Sequence, residues 1–242
     1  MNKTQEYDFT IVVPVYNEED NLDRVEEALS HYLTICSMKA CVLLVNDGSR
    51  DGSLEMIKAI CGRHPDFFYI SSSANHGLST AMKAGIDTTE SPYMGYIDSD
   101  LQTNPEDFNL LLAHIADHDL VTGIRAKRKD SAFKKLQSKI ANGFRRSMTG
   151  DTATDTGCPL KVMRTEMAKR IPFFDGMHRF LPALFNLEGG RFMEMPVRHY
   201  PRTAGFSKYH LWNRLVGPFK DCFAYRWMKA RYIRYHIDEE NL

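Results

Sequence analysis

The chain has 242 residues, 43% hydrophobic and 26% charged, an ordinary globular composition with the length for one sizeable α/β core. No run approaches the roughly 18 apolar residues of a membrane span, and "MNKTQEYDFT" lacks a signal peptide's apolar centre, so the chain is expected neither to be secreted nor to span a membrane. The net charge is zero, yet most of the 31 acidic residues precede Thr122 and most of the 31 basic ones follow it. That asymmetry predicts a basic second half suited to phosphates, nucleic acid or an anionic membrane.

In chain order, "FTIVVPVY" (Phe9–Tyr16) reads as a strand and "NEEDNLDRVEEALSHYL" as a helix, with Leu22, Val25, Leu29, Tyr32 and Leu33 at helical spacing behind an acidic first turn. "CVLLVND" and "SRDGSLEMIKAICGRH" repeat the pair, followed by "FFYISS" with "GLSTAMKAGIDTT" and "YMGYID" with "NPEDFNLLLAHIADH". "DLVTGIR" closes the series. Apolar strands separated by helices predict a mostly parallel sheet covered on both faces. After Arg125 the alternation breaks into a basic helical stretch over 126–150, a polar loop "DTATDTGCP" running into a short strand, the strand "RFMEMPVRHY" and the loop "PRTAGFSKYH". From Leu211 onward aromatics interleave with Arg and Lys without gathering into one stripe, which suggests a headgroup-level or partner-binding segment. The expected division is therefore 1–210 for the α/β domain and 211–242 for an amphiphilic C-terminal segment.

Five scattered cysteines (Cys36, Cys41, Cys61, Cys158, Cys222) form no CxxC pair and read as buried thiols in a reducing cytoplasm. G-x-G-x-x-G and G-x-x-x-x-G-K-[ST] are absent, which argues against a dehydrogenase and a P-loop kinase. Ligands of such sheets bind beyond the carboxyl ends of the strands. Those ends read "PVYNE", "VNDGSRDGS", "SANHG", "IDSDLQ" and "TGIR". In "YIDSDLQ", Asp98, Asp100 and Gln102 alternate along one extended segment. Hard oxygens suit Mg²⁺ or Mn²⁺ with open positions for phosphate, although strand-end Asp residues also serve simply as helix caps. A basic half facing such a segment fits a diphosphate leaving-group site.

"IVVPVYNEEDNL", "VNDGSRDGS", "NHGLSTAMKAG" and "YIDSDLQTNPED" follow one another as in the family-2 glycosyltransferases. "TGIRAKRKDSAFKKLQSKIANGF", "DTGCPLKVMR" and "VRHYPRTAGFSKY" narrow the resemblance to the polyprenyl-phosphate glycosyltransferases, the group of dolichol-phosphate mannose synthase and bacterial undecaprenyl-phosphate enzymes. The resemblance spans roughly residues 8–210 and implies a GT-A fold, a nucleotide-diphosphate sugar donor and a polyprenyl phosphate acceptor. It assigns Pro14, Tyr16 and Glu18 to nucleotide base and ribose, with Asp47 reaching the base. Asp98, Asp100 and Gln102 match the metal and diphosphate segment, Asp100 and Gln102 being direct ligands. Arg125, Lys134 and Ser138 match positions that meet the acceptor phosphate or donor diphosphate. Arg202, Ser207 and Lys208 match a phosphate-clamping loop.

Family members invert the anomeric centre. A phosphate acceptor, with a second pKa near 6, is already anionic at neutral pH and attacks without a dedicated base. A carbohydrate acceptor is the alternative, and it would need a carboxylate base, for which Asp155 is the candidate. Many relatives carry transmembrane helices after this domain; here the expectation is a peripheral protein at the cytoplasmic face, held by an anionic membrane surface or a small membrane-protein partner. No recognised nucleic-acid module accompanies the basic half, so no nucleic-acid partner is expected.

Overall fold

Strands β1 (Phe9–Val15) and β2 (Ala40–Asp47) are buried at every position, as uninterrupted apolar runs require when both faces of a sheet are covered. The structure, a computed structural model, describes residues 2–125, 132–201, 211–233 and 239; for 132–140 and 211–216 it describes the backbone alone. Its sheet runs in the order β3 (Phe67–Ser72), β2, β1, β4 (Tyr93–Tyr96), β6 (Lys161–Arg164), β5 (Leu120–Arg125), β7 (Phe192–Val197). Every neighbouring pair is parallel except those of β6, which runs against both β4 and β5. The carboxyl ends of the other strands and the amino end of β6 therefore share one edge.

Alternate residues of β1 enter two different cores. Ile11 and Val13 face Leu22, Val25, Leu29 and Tyr32 of α1 (Glu19–Ile35), with Ile57 of α2 (Ser53–Arg63) and Phe108 of α4 (Phe108–Leu112). Val12 faces the opposite core, with Met82 and Ile86 of α3 (Leu78–Thr88), Ala168 of α6 (Thr165–Arg170) and Leu184 of α7 (Leu181–Leu187). Pro14 is tolerated in this central strand because the pairing of β1 with β4 ends at Val12↔Tyr96, so the ladder on that side is already open.

The basic stretch forms α5 (Ala132–Thr149), and the segment from Leu211 forms α8 (Leu211–Arg231). Among the described residues no helix is long and apolar enough to cross a membrane. One face of α8 is core, which differs from the expected headgroup-level segment: Cys222 and Tyr225 are buried in the second core, and the Tyr225 hydroxyl donates to Ala183 O at 3.0 Å. A Tyr buried with its hydroxyl satisfied keeps most of its apolar gain. The opposite face keeps Phe219, Phe223 and Trp227 more than half exposed.

Candidate active site

The loops after β1 and β2 are stitched together by side chains. Asn17 N–H donates to Ser49 Oγ at 3.0 Å, Arg50 N–H to Asn17 Oδ1 at 2.8 Å and Glu18 N–H to Ser53 Oγ at 2.9 Å. Glu18 Oε2 accepts from Asn21 Nδ2 at 2.6 Å. Pro14, Tyr16 and Glu18 thus lie at the mouth of β1, backed by a rigid wall. Asp47, at the end of β2, is buried and accepts from Asn75 Nδ2 (2.8 Å), His76 N–H (2.9 Å) and Gly77 N–H (2.8 Å). The carboxylate expected to reach a nucleotide base therefore has both oxygens engaged in shaping the loop between β3 and α3. Gly48, at φ +66°, is needed where that loop crosses, since a Cβ there would come within 2.2 Å of the Ala74 carbonyl carbon.

At the exit of β4 the chain turns sharply. Leu101 N–H donates to Asp98 O at 3.2 Å, Gln102 N–H to Asp100 Oδ1 at 3.2 Å, and the Tyr96 hydroxyl to Asp98 Oδ1. Among the described residues, the non-glycine positions with positive φ are Asn17 (51°) and Leu101 (49°), one in each of the loops after β1 and β4. A left-handed Leu costs on the order of 1–3 kcal/mol, and such strain concentrates where geometry serves a ligand. The segment is also tied to the exit of β7. Tyr200 N–H donates to Gln102 O at 2.8 Å, and Thr103 bridges His199. Arg198 donates from its backbone and Nε to Asp107 at 2.7 and 2.8 Å.

Asp98, Asp100 and Gln102 offer the hard oxygens that Mg²⁺ or Mn²⁺ takes. Among the described residues, no group of three His, Cys, Asp or Glu is placed to hold a metal ion. This donor set fits an ion that shares its coordination with substrate phosphates, and not a closed structural metal.

Across β6 from this segment lies Arg125, the last residue of β5. Its backbone N–H and Nε donate to Asp155 Oδ2 at 3.0 and 2.9 Å, and its Nη2 to Asp155 Oδ1 at 2.7 Å. Burial alone raises the Asp155 pKa, but hydrogen bonds from Arg125 and its charge outweigh that and hold the carboxyl below its ordinary range. Asp155 is thus held ionised by Arg125, which engages the carboxylate that the alternative carbohydrate-acceptor reading would use as a base. Glu194 of β7 grips the same loop, accepting from Thr154 N–H at 2.9 Å and Asp155 N–H at 3.0 Å. Beneath the pair, Lys161 is 2% exposed, donates to Cys158 O, and has its pKa lowered by burial despite the nearby Asp155 and Asp98. At the start of α3, Ser79 Oγ pairs with His178 Nδ1 at 2.8 Å and accepts from Gly176 N–H at 3.0 Å. Burial, then the charges of Arg179 and Lys161, push the His178 pKa down to about 3.

The shared edge thus collects Pro14, Tyr16, Glu18, Asp47, Asp98, Asp100, Gln102 and Arg125. Lys134 and Ser138 fall on the α5 backbone, but their side chains, like Arg202, Ser207 and Lys208 entirely, lie outside the described residues. Lys161, Glu194 and His178 were missed by sequence reasoning. For Lys161 there was a usable signal: a lone Lys inside the apolar run "CPLKVM" must be paired or solvated.

The model of the family "Glycosyl transferase family 2" matches residues 10–172. Dodecaprenyl-phosphate galacturonate synthase of Rhizobium johnstonii is 33% identical over 211 residues, 85% of this chain and 62% of that protein. Undecaprenyl-phosphate 4-deoxy-4-formamido-L-arabinose transferase of Yersinia pestis is 32% identical over 216 residues, 88% of this chain and 65% of that protein. The chain therefore spans just under two thirds of the length of these curated relatives. Among solved structures, glucosyl-3-phosphoglycerate synthase of Mycobacterium tuberculosis, in complex with Mn²⁺, UDP-glucose and phosphoglyceric acid, superposes with TM-score 0.67 at 13% identity, over 96% of this chain and 83% of that one. A mannosyltransferase of Pyrobaculum calidifontis, in complex with GDP-Man and Mn²⁺, gives TM-score 0.64 at 16% identity, over 95% and 65%. At such identities the likeness speaks for the fold alone, and it agrees with the expected GT-A architecture.

Proposed function

The chain belongs to glycosyl transferase family 2, and we propose that it transfers one sugar, with inversion, from a nucleotide-diphosphate sugar to a polyprenyl phosphate. The observation that carries this reading is the opposition, across β6, of the Asp98-x-Asp100-x-Gln102 turn and the Arg125 guanidinium held by Asp155. The names of the relatives at 32–33% identity support the polyprenyl-phosphate acceptor.

The chemistry follows from charge. Asp100 and Gln102, with Asp98 beside them in the same segment, would hold Mg²⁺ or Mn²⁺, which when bound neutralises the leaving diphosphate. Tyr16 and Glu18 line the nucleotide side, where the stitched loops keep the donor from shifting. Arg125 holds the acceptor phosphate in line with the sugar–diphosphate bond, so that one anion attacks the anomeric carbon as the other departs, a task of positioning and charge stabilisation. The acceptor is its own nucleophile, so no residue needs to take a proton. Lys134, Ser138, Arg202, Ser207 and Lys208 complete the phosphate contacts in this reading. A carbohydrate acceptor would need a base, and Asp155, committed to Arg125, does not supply one.

The acceptor's polyprenyl chain places the reaction at a membrane. The exposed Phe219, Phe223 and Trp227, spaced one helical turn apart and accompanied by the exposed Lys220, Arg226 and Arg231, would meet an anionic lipid surface on the cytoplasmic side. In this reading the C-terminal segment over 211–242 serves both the core and the interface, and a small membrane-protein partner would add to it. The deciding experiment is incubation with a panel of nucleotide sugars, Mg²⁺ or Mn²⁺ and a short polyprenyl phosphate, read by mass spectrometry. Formation of a glycosylated polyprenyl phosphate is expected. Transfer only to free glycans, or to water, would overturn the reading.

A further inference from the structure

We infer that Asp155 is a positioning residue: with Glu194 behind it, it fixes the Arg125 guanidinium in the orientation that meets the acceptor phosphate. The inference rests on the proposed role of Arg125. Three elements are linked in series. Glu194, on β7, accepts from Thr154 N–H at 2.9 Å, Thr154 Oγ1 at 2.8 Å and Asp155 N–H at 3.0 Å. Asp155, in the loop before β6, then takes the backbone N–H of Arg125 at 3.0 Å together with its Nε and Nη2.

A side-on pair of this kind fixes the guanidinium plane and turns the remaining N–H donors away from the carboxylate. Gly157 lets the pair close, since a Cβ there would stand 3.0 Å from Nη2 and crowd its bond to Asp155. Unlike Arg145–Asp151, which is enclosed, this pair stands at the strand-end edge where substrate would bind, so fold stability need not be its whole purpose. Removing two charges from water costs several kcal/mol, and apolar residues of similar volume usually serve a fold as well. The side chains are 19% and 11% exposed, so the pair is sheltered yet reachable from the strand-end edge. An arginine that must meet a doubly charged phosphate gains from having its rotamer chosen in advance, because less entropy is then lost on binding.

The test compares Asp155→Asn, Arg125→Lys and the double variant, each in the full chain. An amide presents a donor where the guanidinium needs an acceptor. Asp155→Asn should therefore raise the KM for polyprenyl phosphate and lower kcat/KM about 100-fold, with the donor KM changed less than about twofold. The double variant should be no worse than Arg125→Lys, because one group acts through the other. Multiplying effects, or a lost kcat with unchanged acceptor KM, would overturn the inference. Should Asp155→Asn not fold, Glu194→Gln supplies the reading, with an expected rise of about fivefold in acceptor KM and none in donor KM; an unchanged acceptor KM counts against the inference. If the parent shows no transfer at all, calorimetric titration with inorganic phosphate separates the two claims. Equal weakening by Asp155→Asn and Arg125→Lys sustains the positioning role without the proposed reaction, and no weakening by either rejects it.

Discussion

The two halves of the chain solve the same electrostatic problem in opposite ways. In the first half, carboxylates near the strand ends are held by backbone and amide donors: Asp47 by Asn75, His76 and Gly77, and Asp51 by Ser53 N–H at 3.0 Å and Glu19 N–H at 3.3 Å. In the second half, cations are held by carboxylates: Arg125 by Asp155, Arg145 by Asp151, and Arg198 by Asp107 and Glu106. Backbone donors carry no net charge, so these strand-end carboxylates keep their negative charge for a cation. Carboxylate partners do neutralise, so much of the second half's basicity is spent internally or across the halves, as in Lys169–Glu90 and Arg164–Asp119. Among the described residues, a basic residue of the second half is thus not always a basic surface group.

The largest effect expected from that difference is on stability. Arg145 donates to Asp151 Oδ2 at 2.5 Å and to Ala153 O at 2.6 Å, and the Asp151 side chain is fully enclosed. Arg145→Ala strands a buried carboxylate and should cost about 3–5 kcal/mol in urea denaturation. A loss below about 1 kcal/mol would mean that the second half's cations are surface groups after all.

Asp100→Asn tests the other half. The amide oxygen can still accept from Gln102 N–H, so the turn and the melting temperature should be kept. A neutral ligand leaves the diphosphate poorly compensated, and turnover should fall at least about 100-fold, or ~2.7 kcal/mol in the barrier. Turnover within about tenfold of the parent would remove Asp100 from the metal role.

His178 sets the two modes side by side, since it is kept neutral by burial and by the cations Arg179 and Lys161. Its folded pKa, about 3, lies below the ordinary 6.5, so the unfolded chain binds the extra proton first. This contribution to stability is complete above pH 6.5 and is lost as pH falls towards 3. Between pH 6.5 and 5 the loss should approach about 2 kcal/mol. His178→Gln should remove that part of the slope in chemical denaturation at each pH. An identical slope in the variant would show that His178 is not kept neutral.

Much of the fold was legible because β1 and β2 are continuous apolar runs and α1 carries its buried residues at helical spacing. The acidic strand ends were legible for the same reason, being local. Arg125 and Asp155 stand 30 residues apart, and Glu194 lies 39 beyond Asp155, so their linkage depends on β6 running antiparallel between β4 and β5. A strand of four residues gives no periodicity from which to read direction. Helix α8 hid its two faces differently. Its aromatics look unsorted because Tyr225 points inward while Phe219, Phe223 and Trp227 point outward, and all are aromatic.

That outward face carries the smallest of these effects and the one that would sharpen the comparison most. With several second-half cations committed to ion pairs, membrane affinity should depend on those that are exposed, and on the aromatic face beside them. Phe219 stacks on Phe144 of α5 at 4.9 Å between ring centroids, so it has a structural share. Phe223, 51% exposed, shares that packing through an edge-on contact with Phe219 at 5.2 Å, so Trp227, 66% exposed, is the cleaner probe. Trp227→Ser should leave the melting temperature nearly unchanged and weaken partitioning to anionic vesicles roughly tenfold, about 1.4 kcal/mol. The residual binding, carried mainly by Lys220, Arg226 and Arg231, should then fall away as salt rises, because exposed charges are screened within about 8 Å at physiological ionic strength. The parent should keep a salt-resistant fraction. Equal salt curves for parent and variant would show that this ring does not enter the lipid interface.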